Sequence, residues 1–265
     1  MTKAVIDESL AAATADDSLL FASVRDDNVF GNAGDDIISG LDGSDTIDAG
    51  LGADRIDGGE GIDTFKLDHT SFTTNLNSDY EQVVEIDLIN GISGQKGNDT
   101  LQDSLINIEN IKYEGSTDVE MTGDAGNNVI KSDEGNDKLY GGDGNDVLVS
   151  GAGNDFIYGL EGDDSIFCGS GQDVLSGGEG SDNFYFYLND GHNIITDFSV
   201  SNDTCFVVDN SGALINVTKY DNLTETQNSD GNAELRLNNE TTVTLEGVAE
   251  YLSGFEEPAM TYLIP

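Results

Sequence analysis

The chain is 265 residues long and carries 52 acidic against 10 basic residues, a formal charge of −42 at pH 7. Nucleic acid and anionic membrane surfaces would repel such a molecule, so the composition points to cations as partners. Thirty-three glycines, two prolines, no tryptophan and 37% hydrophobic residues leave little for a thick core, and this is also the composition of a disordered chain.

Residues 1–21, MTKAVIDESLAAATADDSLLF, read as a lead-in with one lysine and no apolar run long enough for a cleaved signal peptide. No segment approaches the length of a membrane span. Residues 22–66 then read ASVRDDNVF, GNAGDDIIS, GLDGSDTID, AGLGADRID and GGEGIDTFK. Position 4 of each unit is glycine, except for Arg25. Position 6 is Asp27, Asp36, Asp45, Asp54 and Asp63. Position 8 is apolar throughout: Val29, Ile38, Ile47, Ile56 and Phe65.

Residues 67–122 connect this array to the next. Within them VEIDLINGISG and DTLQDSLINIENI alternate apolar and polar residues, as strands do. His69, Tyr80 and Gln82 lie here without forming a convincing binding site. The second array spans residues 123–207. It opens with GDAGNNVIK, SDEGNDKLY, GGDGNDVLV, SGAGNDFIY, GLEGDDSIF, CGSGQDVLS and GGEGSDNFY. Position 6 is now Asn128, Asp137, Asp146, Asp155, Asp164, Asp173 and Asp182; position 8 runs Ile130, Leu139, Leu148, Ile157, Ile166, Leu175, Phe184. A closing stretch follows, and residues 208–265 form a C-terminal region in which NAELRLNNETTVTLEGVA again alternates.

A disordered acidic segment has no reason to keep three positions in phase over a dozen units, so the repeat argues for order. Positions 1–6 are turn chemistry, because glycine accepts positive φ and Asn or Asp accepts tight bends. Positions 7–9 make a short strand with one inward side chain. Three residues of strand cannot stand alone, but stacked on identical neighbours they form a parallel sheet backed by an aliphatic ladder. Two units complete one coil, so units n and n+2 lie side by side. At position 9 the second array carries Tyr140 and Tyr158 toward one face and Val149, Phe167 and Tyr185 toward the other, and the expectation is cross-strand aromatic pairing. Outward residues of the first array are mostly polar: Ser39, Thr46, Asp48, Arg55, Asp57, Thr64 and Lys66.

This stacking is expected to bring position 6 carboxylates of units n and n+2 toward one another, with glycine carbonyls beside them. Alone, such a row of like charges is costly. A hard divalent cation turns it into an all-oxygen cage, and Ca²⁺ tolerates that flexible, many-ligand geometry better than Mg²⁺. Zinc or copper would want His or Cys ligands, and His69 and His192 make no cluster. Two cysteines, Cys168 and Cys205, make no disulfide framework; the expectation is separate thiols, and one bridge between them stays open as the alternative.

The tandem units resemble the haemolysin-type, or RTX, calcium-binding repeat. Residues 187–207, YLNDGHNIITDFSVSNDTCFV, resemble the closing element of that family; Asn193 replaces the expected first aspartate and Ser201 the expected glycine, while Asp197 and Asp203 match. The resemblance implies an all-β, right-handed parallel β-roll in two arrays with a C-terminal β cap and calcium in the turns. It also implies export by a type I secretion system that reads an uncleaved C-terminal signal. The final residues, EYLSGFEEPAMTYLIP, would carry that signal, cover the open end of the sheet, or both. Counting n/n+2 pairs gives roughly eight calcium ions.

The expected function is that of a secreted, extracellular protein that folds on calcium after export, then acts in binding or signalling, with a cell-surface or glycan partner. The alternative is the C-terminal calcium and secretion module of a larger RTX enzyme, toxin or adhesin. No HExxH and no GxSxG occurs in the sequence, and carboxylates in phase read as cation ligands rather than acid–base pairs, so no enzymatic activity is expected.

Overall fold

The structure is a computed structural model that describes residues 2–5, 10–12, 17–68, 83–95, 102–187, 190–208, 214–216, 225–227, 232–236 and 241–246. His69, Tyr80, Gln82 and the tail from Glu250 lie outside the described residues. Among the described residues there are 26 strands, β1 (Thr2–Val5) to β26 (Thr242–Leu245), and no helix.

The strands fall into two facing sheets of fifteen and eleven. Consecutive repeat units alternate between them, so the chain coils as a parallel β-solenoid. The spacing follows from the nine-residue unit: Ile38 pairs with Ile56 in one sheet and Ile47 with Phe65 in the other, each 18 residues apart. Leu139 with Ile157 and Leu148 with Ile166 repeat this in the second array.

Position 8 lines the interior. All twelve of these side chains, from Val29 to Phe184, are 0–1% exposed. Burying each aliphatic side chain contributes about 1.5–3 kcal/mol, and the ladder makes a thin core continuous along the coil axis. Cys168 and Cys205 are buried in it as free thiols. Burial in apolar surroundings pushes both thiols up.

The two arrays share one pair of sheets. The connector supplies a further coil, with β11 (Asp103–Ile106) pairing in parallel with β7 (Arg55–Glu60), and β12 (Asn110–Glu114) with β8 (Thr64–Asp68). On the fifteen-stranded side an antiparallel hairpin, β9 (Val84–Asp87) and β10 (Ile92–Gln95), sits between β11 and β13 (Val119–Thr122). The eleven-stranded side has no such insertion: β12 pairs directly with β14 (Val129–Lys131). At the far end β25 (Ala233–Arg236) runs antiparallel to β26, which itself adds in parallel to β21 (His192–Ile195).

On the outer faces Tyr140 stacks on Tyr158 at 5.2 Å between ring centroids. Phe167 stacks on Tyr185 at 4.3 Å, and Tyr185 on Phe206 at 5.1 Å. These are cross-strand pairs between neighbouring coils, of the kind that stabilises any sheet.

Candidate metal centre

Each position 6 side chain sits at the last residue of a turn, just before its strand. One row of turns leads into the fifteen-stranded sheet and the other into the eleven-stranded sheet. Within a row the carboxylates do not simply face one another. Each Oδ1 accepts the backbone N–H of the position 6 residue one coil earlier: Asp36 N–H to Asp54 at 2.7 Å, Asp45 to Asp63 at 2.7 Å, Asp137 to Asp155 at 2.8 Å and Asp146 to Asp164 at 2.8 Å. The same bond recurs along both rows of the second array, up to Asp173 and Asp182.

The second oxygen has no such partner. Oδ2 of Asp36, Asp45, Asp54, Asp63, Asp137, Asp146, Asp155, Asp164, Asp173 and Asp182 is buried and makes no hydrogen bond. Buried polar atoms are almost always paired, because leaving one unmet costs about 1–3 kcal/mol. Ten carboxylate oxygens without a donor thus recur in phase with the repeat.

The glycines beside them explain the close quarters. A Cβ added at Gly159 would lie 2.2 Å from Asp164 Oδ2 and 2.4 Å from the Gly177 carbonyl oxygen. Position 1 therefore lets a carboxylate oxygen and a carbonyl oxygen of the next coil converge on one Cα. Both are hard oxygen donors, which suits Ca²⁺. No group of three or more His, Cys, Asp or Glu side chains comes together among the described residues, so any cation here draws on backbone carbonyls as well as carboxylates.

Burial sets the electrostatics. It pushes the carboxyls of Asp36, Asp45, Asp146, Asp164 and Asp182 up to about 6, and those of Asp137 and Asp173 to about 7. Asp54 rises to about 8, through burial first and the neighbouring Asp103 second. Asp63 and Asp155 are raised too, again through burial. The backbone N–H bonds to Oδ1 work against these shifts. A raised carboxyl favours the cation-free fold below its unfolded value of about 4 and loses that stability as pH rises through the folded value. A cation binding at these oxygens would have to displace the proton.

Four of the position 6 and closing-element residues singled out in the sequence are satisfied differently. Asp27 Oδ2 accepts both the N–H of Ser23 at 2.8 Å and its hydroxyl at 2.7 Å. Asp203 accepts the Asp182 N–H at Oδ1 and the Ser199 N–H at Oδ2. Asn128 accepts the Asp124 N–H and donates from Nδ2 to the Glu109 carbonyl, where a carboxylate would meet oxygen with oxygen. Asp197 is not a rung but lies beside the end of one row, where its charge adds to the upward shift that burial gives Asp182. It is exposed and accepts from the Ser176 hydroxyl and the N–H groups of Gly177 and Gly178. Asn193 takes over the Oδ1 role for Asp173 N–H and donates its Nδ2 to Cys168 Sγ. His192 bonds the Thr242 hydroxyl.

The sequence reading missed two rungs. Asp103 accepts the Asp54 N–H at 3.1 Å and Glu109 accepts the Asp63 N–H at 2.7 Å, so the connector continues both rows. Asp103 then closes its own Oδ2 against the Ser93 hydroxyl at 2.6 Å. The signal was an acid two residues before a buried apolar side chain, Leu105 or Ile111. A second, exposed ladder at position 5 was missed as well. It runs the opposite way along the coil: Ser44 N–H to Asp26, Ala53 to Asp35, Asn145 to Asn127 and Asp163 to Asn145.

Residues 30–65, 122–157, 149–184 and 158–195 match the RTX calcium-binding nonapeptide repeat. Among curated proteins there is no match. Among solved structures, the extracellular lipase LipA from Serratia marcescens is 22% identical, with a TM-score of 0.26. That alignment covers 88% of this chain and 38% of the lipase, so the chain spans well under half the lipase's length.

Proposed function

Because this chain carries RTX calcium-binding nonapeptide repeats, we propose that it is a calcium-responsive β-roll, exported and folded where calcium is plentiful, and used for binding or signalling rather than for catalysis. The observation that carries the reading is the set of ten buried, unpartnered Oδ2 atoms. Asp36, Asp45, Asp54, Asp63, Asp137, Asp146, Asp155, Asp164, Asp173 and Asp182 would hold the ions, with carbonyls of position 1 beside them. Calcium, when bound, supplies the positive charge that lets these carboxylates stay ionised out of water. Asp27, Asn128, Asp197 and Asp203 are left out of that set, because hydrogen-bond donors already meet their side-chain oxygens.

Affinities of about 10⁻⁴–10⁻³ M suit an extracellular module. At such affinities a calcium-poor cytosol keeps the chain open for export, and calcium outside drives it closed. Type I secretion is the proposed route, because RTX repeats are typical of secreted proteins. The test is a count of bound calcium by native mass spectrometry at saturation. The expected maximum is one ion for each orphaned Oδ2, or ten. A chain that stays calcium-free at millimolar calcium would overturn the reading.

A further inference from the structure

Position 1 differs between the two rows of turns. In the row leading into the eleven-stranded sheet it is Gly40, Gly58, Gly123, Gly141, Gly159 and Gly177 after an initial Ala22. In the row leading into the fifteen-stranded sheet it is Gly31 and Ala49, then Ser132, Ser150 and Cys168 in the second array.

That difference changes the chemistry beside the orphaned oxygens. At Gly141 a Cβ would meet Asp146 Oδ2 at 2.3 Å and the Gly159 carbonyl at 2.6 Å, so this turn keeps a space flanked by two oxygens and closed to any side chain. Gly159 repeats the arrangement with Asp164 and Gly177. In the other row the Ser132 hydroxyl donates to the Ser150 carbonyl at 2.6 Å, and the Ser150 hydroxyl donates to the Cys168 carbonyl at 2.6 Å. Asn193 Nδ2 then donates to Cys168 Sγ at 3.5 Å. Here the Ser150 and Cys168 carbonyls already accept a short hydrogen bond. Oδ2 of Asp137, Asp155 and Asp173 stays buried without a hydrogen bond of good geometry, although Ser132, Ser150 and Cys168 lie close enough to work against the upward shift that burial gives these carboxyls.

A carbonyl committed to a hydroxyl is a poorer ligand, because the donor must turn away before the oxygen can close on a cation. A thiol adds nothing for calcium, which ranks soft sulfur below oxygen. We propose that the second array carries two unequal cation rows. The glycine row, at Asp146, Asp164 and Asp182, takes hard divalent cations tightly. The serine–cysteine row, at Asp137, Asp155 and Asp173, takes them weakly, so the array loads in two steps set by its position 1 side chains. This rests on the calcium reading above and specifies which of its sites fill first.

The experiment is isothermal titration of the full chain with calcium chloride, beside a Ser132→Gly/Ser150→Gly/Cys168→Gly variant and a single Ser150→Ala variant. The wild type is expected to show a weaker class of about three ions, at least about tenfold weaker than the rest. The triple variant is expected to merge that class with the tighter one. Ser150→Ala, which keeps Cβ and removes only the hydroxyl, is expected to tighten part of the weak class, and it serves if the triple variant does not fold. A single class in the wild type would overturn the proposal. So would variants whose weak class is unchanged or weaker still, the latter meaning that the hydroxyls are themselves ligands. Complete absence of binding by the wild type would instead remove the calcium reading itself.

Discussion

In EDTA at neutral pH the chain is expected to give the circular dichroism spectrum of an unfolded polypeptide, and added calcium is expected to restore the β-sheet band in a cooperative transition. The magnitude follows from linkage. A site at tenfold excess of ligand over its dissociation constant adds about 1.4 kcal/mol to the folded state, so ten independent sites add about 14 kcal/mol. That is as large as the whole net stability of a typical domain, which is about 5–15 kcal/mol. Without the ions the fold must instead bury ten carboxylates whose ionised form burial opposes, on a chain of net charge −42. The thin core has no reserve to absorb that cost. A fully folded β-spectrum in chelator would show that the coils hold without cations.

The second large effect concerns a single rung. Asp164→Asn keeps an Oδ1 that accepts the Asp146 N–H, now at 2.8 Å, and replaces the orphaned oxygen with an amide. The chain already accommodates this exchange at Asn193, whose Oδ1 accepts the Asp173 N–H. In saturating calcium the variant is expected to bind one ion fewer and to lose about 1–3 kcal/mol, measured by urea denaturation. In chelator the sign reverses. The buried charge is gone, so less trimethylamine oxide is needed to fold the variant than the wild type. A role confined to hydrogen bonding predicts the same loss with and without calcium, and that result would sink the assignment of Asp164.

Much of this was legible because the repeat states the coil directly. Position 8 marks the interior, and a nine-residue unit taken twice gives the observed spacing of 18 between paired residues. The position 6 aspartates were readable for the same reason. What escaped lies where the period breaks. Asp103 and Glu109 hold rungs of the two rows but stand six residues apart instead of nine, so no periodic alignment joins them to the arrays. The hairpin Val84–Gln95 inserts into one sheet only, an asymmetry that local alternation cannot express. Asp197 shows the reverse. It matches a motif by spacing, yet its carboxylate turns outward to cap Gly177 and Gly178.

Position 2 holds another feature that pattern alone hides. Leu41 and Leu160 adopt φ of 77° and 85°, a left-handed conformation that the glycines of neighbouring coils, such as Gly59 and Gly178, adopt without a side-chain clash. Each costs about 1–2 kcal/mol relative to glycine, yet the coil imposes it because the turn must superimpose on the one below. Local propensity loses to stacking here. By contrast Ser23 and Asp124, at position 2 of the turns that open the two arrays, have no positive φ, and their N–H groups close on Asp27 and Asn128. The first turns seal themselves, and the interior ones stay open.

The account stands most directly on where the ions sit. A crystal structure grown in calcium, with the ions located by anomalous scattering, is predicted to place them within about 2.3–2.6 Å of Oδ2 at the ten interior aspartates. None is predicted at Asp27, Asn128, Asp197 or Asp203. Interior turns without ions, or ions gathered on those four residues instead, would contradict it.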